Sequence, residues 1–154
     1  MKSFKRRSFL MAGVLAAAIG VSAPLTQAAP PIKIGHSMAL TGTLGGGGKG
    51  ALIGLQLWVE DVNARGGLLG RKVELITYDD QSNPATTPGI YTKLLDVDKV
   101  DLLIAPYATV PTAPLMPLVK QRGKLLMGNF SFQVNHTVKH DMWFNNAPWN
   151  VAAS

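Results

Sequence analysis

Two hydrophobic periodicities alternate along the middle of this chain, and that alternation narrows the choice of fold more than any single residue. Short aliphatic and β-branched runs occupy residues 32–36, 72–78, 101–105 and 124–127. Between them lie longer stretches whose apolar residues recur every three to four positions. The first pattern fits strands and the second fits amphipathic helices. Strands that alternate with helices are joined by right-handed crossovers, which leave consecutive strands parallel. The expected fold is therefore α/β, with a parallel sheet built from βαβ units. In such sheets ligands bind beyond the carboxyl ends of the strands. Those ends feed the segments 37–50, 79–83, 105–110 and 128–133, which are where function is expected.

The helical stretches carry recognisable stops and starts. Leu52, Leu55, Trp58 or Val59, and Val62 form an apolar stripe from Ala51 onward, with Glu60 and Asp61 off it. Gly66 and Gly67 end that helix, because glycine adopts the left-handed cap conformation without penalty. A second helix starts either at Asn83-Pro84 or at Pro88 and runs through Leu94 and Leu95. A third, over 110–119, is made irregular by Pro111, Pro114 and Pro117.

Charge points to an address label and not to a partner. The 154 residues carry a formal net charge of +6. Lys2, Lys5, Arg6 and Arg7 supply four of those charges within residues 1–28, which hold no acid. The remainder has 11 basic and 9 acidic residues, a balance that gives no case for nucleic acid. Residues 2–7 read as the positive region of an export signal and 10–21 as its apolar region. Thr26, Gln27 and Ala28 offer a cleavage site after Ala28. The apolar run is shorter than the ~20 residues a membrane span needs. Arg6 and Arg7, followed by Ser8, Phe9 and Leu10, also resemble a twin-arginine signal. No cysteine is present, so disulfides, thiolate metal sites and thiol nucleophiles are excluded. The expected organisation is a cleavable leader over 1–28, an α/β lobe over 29–148, and a short tail over 149–154.

Several motifs invite chemistry. The glycine run at 45–48 with Lys49 and Gly50 lacks the spacing of a Walker phosphate loop. It fits a dinucleotide fingerprint through Gly45, Gly47 and Gly50 only as any glycine run would, and it stands too far from the strand. Two readings remain for it. One is a loop feeding a helix N-terminus that favours an anionic group, and the other is a plain connector. His136 and His140 are four apart, but no third metal ligand accompanies them, so two surface histidines are expected. Asp79 and Asp80 could pair as acid and base, yet aspartates are common where a strand turns. No nucleophile–base pair is apparent, so no enzyme is expected. Trp143, Phe144 and Trp149 read as core or hinge packing.

The residues do resemble a known family. Val62, Asn63, Ala64, Arg65, Gly66, Gly67, Leu68, Leu69, Gly70 and Arg71, followed by Tyr78, Asp79, Asp80, Gln81, Ser82, Asn83 and Pro84, closely resemble the periplasmic solute-binding proteins of the leucine/isoleucine/valine-binding type. Ile32, Lys33, Ile34 and Gly35, with Leu40, Thr41 and Gly42, look like that family's opening strand and first cleft loop. Asp98 to Ala105 looks like its third strand. The likeness covers nearly all of residues 32–150.

That resemblance implies one parallel-sheet lobe of a two-lobed receptor, the second lobe being absent. It implies a small-molecule ligand such as an amino acid, an ABC permease as partner, a periplasmic location and no cofactor. By position, Thr109 matches a hydroxyl residue that holds the ligand carboxylate, with Ala108 beside it, and Ser131 falls near the meeting point of carboxylate and amine. Thr43, Gly45 and Gly46 belong to a loop that covers the ligand. Phe130 and Phe132 replace small residues beside Ser131, which suggests a bulkier or less polar ligand. The segment from Met142 to Pro148 resembles the approach to a crossover toward the second lobe. Two other readings stay open: a ligand-sensing domain for a signalling partner, and an exported oxidoreductase that uses the glycine run.

Overall fold

A computed structural model describes residues 29–131 and 134–146. The leader over 1–28, Phe132, Pro148, Trp149 and the tail over 149–154 lie outside the described residues. Five strands form one sheet: β1 (Ile32–Met38), β2 (Val73–Asp79), β3 (Leu102–Ile104), β4 (Leu126–Gly128) and β5 (Trp143–Asn145). Their order is β2-β1-β3-β4-β5, and every neighbouring pair is parallel. The fold is the α/β parallel sheet that the alternating periodicities imply, with one strand more than they reveal. β5 grows out of Trp143 and Phe144, and the Trp143 ring lies directly over the bare backbone of Gly128.

The helices divide between the two faces as the handedness rule requires. The connection from β1 to β2 moves one way along the sheet, and every later connection moves the other way. Right-handed crossovers therefore send α1 (Gly45–Ala64) to one face and the later helices to the opposite face. On the latter, Tyr91, Leu94 and Leu95 of α2 (Thr87–Asp96) pack with Leu103, Leu126, Leu115, Met116 and Val119 in the main core. There the proline-rich stretch breaks into α3 (Thr109–Thr112), a 3-10 turn over 113–115 and α4 (Met116–Gln121). On the first face Val62, Val59 and Leu55 of α1 cover Ile32, Ile34, Val73 and Ile104. Beyond α1, Leu102, Met127 and Phe144 stay exposed, and a groove of about 410 Å³ is lined by Leu102, Met127 and Trp58.

Two readings of the sequence need correction. The first helix begins not at Ala51 but at Gly45, so the glycine run is helix and not loop. Glycine is the poorest ordinary helix former, and tertiary packing overrides that preference here. A Cβ on Gly48 would stand 1.9 Å from the Ala39 carbonyl oxygen. Only a bare backbone lets the helix start so tightly against the end of β1, and the Gly48 N–H donates to the Leu44 carbonyl at 3.0 Å. The second correction concerns His140, which is buried (5% exposed) and not on the surface. Its Nε2 donates to the Lys124 carbonyl at 2.7 Å, and its backbone N–H donates to Asn135 Oδ1 at 2.6 Å. A carbonyl can only accept, so Nε2 carries the proton. The short α5 (Asn135–Val138) ends at Lys139, which is left-handed at φ 50°. His136 and His140 therefore share no helix face. Among the described residues no group of three His, Asp or Glu could hold a metal.

The contrast between two glycines of α1 tests this packing. Gly48→Ala is expected to destabilise the protein by about 2–3 kcal/mol, since backbone must move to admit the methyl group. At Gly54 an added methyl group would meet nothing within 4 Å, so Gly54→Ala should stabilise by about 0.5–1 kcal/mol. Urea midpoints of the two variants that move the same way would contradict the tight seat at Ala39.

Candidate functional site

At the carboxyl edge of the sheet the loops after β1 and β2 are locked together by one carboxylate. Asp79, the last residue of β2, accepts the N–H of Leu40 (3.0 Å), of Thr41 (3.3 Å) and of Gln81 (2.8 Å), and the Thr41 hydroxyl (2.8 Å). Desolvation pushes its pKa up. The bonds from Gln81 N–H, the Thr41 hydroxyl and the Leu40 and Thr41 N–H groups outweigh that and hold it below the usual aspartate value. Ser82 completes the lock by donating to the Thr41 carbonyl at 2.6 Å and accepting the Leu44 N–H at 3.0 Å. Gln81 and Ser82 both take positive φ (58° and 59°) to fit, an uncommon conformation for side-chain-bearing residues. Opposite them Gly42 at φ 78° has no room for a Cβ, which would meet the Gln81 carbonyl at 2.6 Å.

Its neighbour Asp80 faces inward and is fully buried. Ser37 Oγ donates to it at 2.9 Å and the Ser82 N–H at 3.0 Å. Burial raises its pKa, partly offset by the bonds from Ser37 and Ser82. Above Ser37, the buried Tyr91 hydroxyl donates to the Ile104 carbonyl. His36, also fully buried, has Nδ1 at 3.3 Å from the Ser37 carbonyl and Nε2 at 2.8 Å from the Thr77 hydroxyl. The carbonyl fixes the proton on Nδ1, so Nε2 accepts from Thr77. Burial lowers the His36 pKa to about 4. The two aspartates are thus a loop clamp and a core anchor. Neither is placed as a paired acid and base.

The loops after β3 and β4 meet beside this platform. Ala108 is held at φ 79°, ψ 162°, a region occupied almost only by glycine, and such strain concentrates at ligand sites. Thr109 follows as the first residue of α3 and is half-buried. Ser131 is fully buried. Thr112 Oγ1 donates to the Ala108 carbonyl at 2.8 Å and takes the Ser131 hydroxyl at 2.7 Å. The Ser131 hydroxyl also lies 3.4 Å from the Ala108 carbonyl, which closes a small buried network of the three groups. The Ser131 carbonyl accepts from Asn145 Nδ2 at 2.6 Å, which ties the loop to β5.

Of the residues singled out from the sequence, Ala108 and Ser131 come together around Thr112, with Thr109 next to Ala108 in the chain. Thr43 is exposed in the turn before α1, Gly45 is buried as the first residue of α1, and Gly46 is exposed with open space around it. Phe130 is 44% exposed, and its ring centroid lies 5.1 Å from that of Tyr107. Tyr107 escapes a reading of the sequence, as does Thr112, since both act through contacts distant in the chain. The one available signal for Tyr107 is its place just past a strand end.

Below pH 6.5 this site should cost the protein stability through His36. Its native pKa of about 4 lies below the usual 6.5. Between those values the unfolded chain binds a proton that the native chain refuses. This contribution is expected to lower stability as pH drops from 6.5 to 4, by up to about 3 kcal/mol, and to change no further below. Asp80 opposes this, because its raised pKa lets the native chain hold a proton that the unfolded chain releases. In His36→Gln the urea-unfolding pH slope across this window should shrink by about one proton; an unchanged slope would remove His36 as its source.

The profile of a family described as periplasmic binding protein matches residues 31–153. An amino acid binding protein of Pseudomonas aeruginosa is 29% identical over 112 residues, covering 72% of this chain and 30% of the relative. A Leu/Ile/Val-binding protein of Escherichia coli K12 is 27% identical over 118 residues, covering 77% and 31%. Among solved structures, the substrate-binding protein of a branched-chain amino acid transporter from Streptococcus pneumoniae, in complex with isoleucine, aligns with a TM-score of 0.69. It shares 29% identity over 75% of this chain and 33% of its own. A type 1 periplasmic binding protein from Bordetella pertussis aligns at 0.59 with 34% identity, covering 63% and 26%. The chain spans about a third of the length of the relatives it matches.

Proposed function

Because this chain belongs to the periplasmic binding protein family, we propose that it is the first lobe of an exported receptor that captures an amino acid or related small carboxylate and delivers it to an ABC permease. The family is one of binding proteins and not of enzymes. The observation that carries the reading is the meeting of Ser131 with the strained Ala108, one residue before Thr109, at the carboxyl edge of a parallel sheet, where such sheets hold ligands. Hydroxyl and N–H groups suit a carboxylate because each adds a charge-assisted hydrogen bond without burying a second charge. In this reading Thr109 grips the carboxylate, Ser131 and Ala108 shape its seat, and the turn at Thr43, Gly45 and Gly46 covers it.

Relatives named for amino acids, and one bound to isoleucine, support an amino acid as the ligand class. The leader, cut near Ala28, delivers the receptor to the periplasm. Transport then works by hinge closure over the ligand, without chemistry on it.

Ligand binding stabilises a native protein by mass action, so the exported protein should show a raised melting temperature with at least one member of a panel of amino acids, amides and small carboxylic acids. Thr109→Ala should weaken that binding by about 1–3 kcal/mol, as a hydrogen bond to a charged group is lost. No shift across the whole panel would overturn the transport reading, and an unchanged affinity would remove Thr109 from the site.

A further inference from the structure

Two aromatic rings stand at the mouth of the strand-end site, and the core does not use them. Tyr107 follows β3 and Phe130 follows β4. Their centroids are 5.1 Å apart and their planes are inclined at 47°. Neither belongs to the two clusters of buried hydrophobic residues or to the side chains packed against them. Phe130 is 44% exposed, although it immediately precedes the fully buried Ser131.

The Tyr107 ring has a dedicated seat. It lies across the backbone of Gly47 in the first turn of α1, where a Cβ would come within 2.4 Å of its hydroxyl oxygen. Any other residue at 47 would push the ring out of place. Gly47 in the first turn of α1 and Tyr107 in the loop after β3 are thus fitted to each other across the mouth. Next to Tyr107 comes the strained Ala108 and then Thr109. Next to Phe130 comes Ser131. The chain therefore places an aromatic ring directly beside each element of the carboxylate seat.

Aromatic pairs in tilted or offset geometry gain energy beyond their buried area, at centroid distances of about 4.5–7 Å. A third ring placed against Tyr107 and Phe130 gains that energy, whereas a saturated side chain of the same size gains only its area. We propose that Tyr107 and Phe130 are specificity-determining residues that select a small carboxylate bearing an aromatic ring, either an aromatic amino acid or an arylalkanoic acid. This rests on the reading of the strand-end loops as the ligand site. The carboxylate goes to the Thr109 and Ser131 end, and the ring goes to the aromatic pair.

The test compares rings of matched shape on the exported protein by calorimetry. L-phenylalanine is set against L-cyclohexylalanine, phenylacetate against cyclohexaneacetate, and L-leucine and glycine betaine complete the series. At least one aromatic acid is expected to bind about five-fold or more tighter than its saturated partner and than leucine. In Phe130→Leu that preference should collapse, the aromatic acid falling to the affinity of its saturated partner, while the melting temperature of the ligand-free protein is unchanged. Gly47→Ala should reduce the same preference by displacing Tyr107. If leucine or the saturated acids bind as tightly as the aromatic ones, or if betaine binds tighter through its cation, the aromatic class is wrong and the carboxylate site stands. If no acid in the series binds at all, the site itself is wrong.

Discussion

The carboxylate of Asp79 is the interaction on which the carboxyl edge of the sheet depends. A parallel sheet ends in a row of loops with no partner strand to order them. Here one side chain at the end of β2 takes four hydrogen bonds, three from the neighbouring β1 loop and one from its own turn. A charged acceptor makes each of these bonds stronger than a neutral one. The clamp fixes Leu40 and Thr41, and through Ser82 it fixes Leu44, the residue from which α1 departs. The position of Gly47 under Tyr107 follows from where α1 starts. Order thus passes from Asp79 to α1 and from α1 to the mouth of the site.

Beneath that edge the buried polar groups form a second layer. Ser37, Asp80, Tyr91 and the carbonyl of Ile104 are linked through hydrogen bonds that tie β1, β2, α2 and β3 together. All buried side-chain polar atoms among the described residues have partners. Such groups are costly when left unmet and rigidifying when satisfied. Satisfying them here gives the loops a stiff floor. The strain at Ala108 sits on that floor, one residue before Thr109.

Much of this was legible in the sequence, for physical reasons that differ from element to element. β1, β2 and β3 announce themselves through aliphatic runs, and the Gly66–Gly67 stop through conformational freedom, so the parallel α/β sheet and its loop edge could be read directly. The start of α1 could not. Glycine propensity argues for a loop at 45–50, and only the contact of Gly48 with Ala39 reverses it. β5 was hidden because three residues carry no usable alternation. The burial of His140 depends on the Lys124 carbonyl, 16 positions away. In the site, Thr109 and Ser131 came from resemblance. Tyr107 and its partnership with Gly47 came from neither pattern nor resemblance, since a contact between residues so far apart in the chain leaves no local trace.

The central claim is that ligand is held at the loops after β3 and β4. An amide-resolved nuclear magnetic resonance titration of the ¹⁵N-labelled protein tests it most directly, because it detects even weak binding and locates it. With the tightest acid found by calorimetry, the account predicts shifts concentrated at Tyr107, Ala108, Thr109 and Ser131, with Lys120 to Lys124 on the far edge of the sheet unmoved. Shifts concentrated instead along Trp58, Leu102 and Met127, or scattered evenly over the chain, would contradict it.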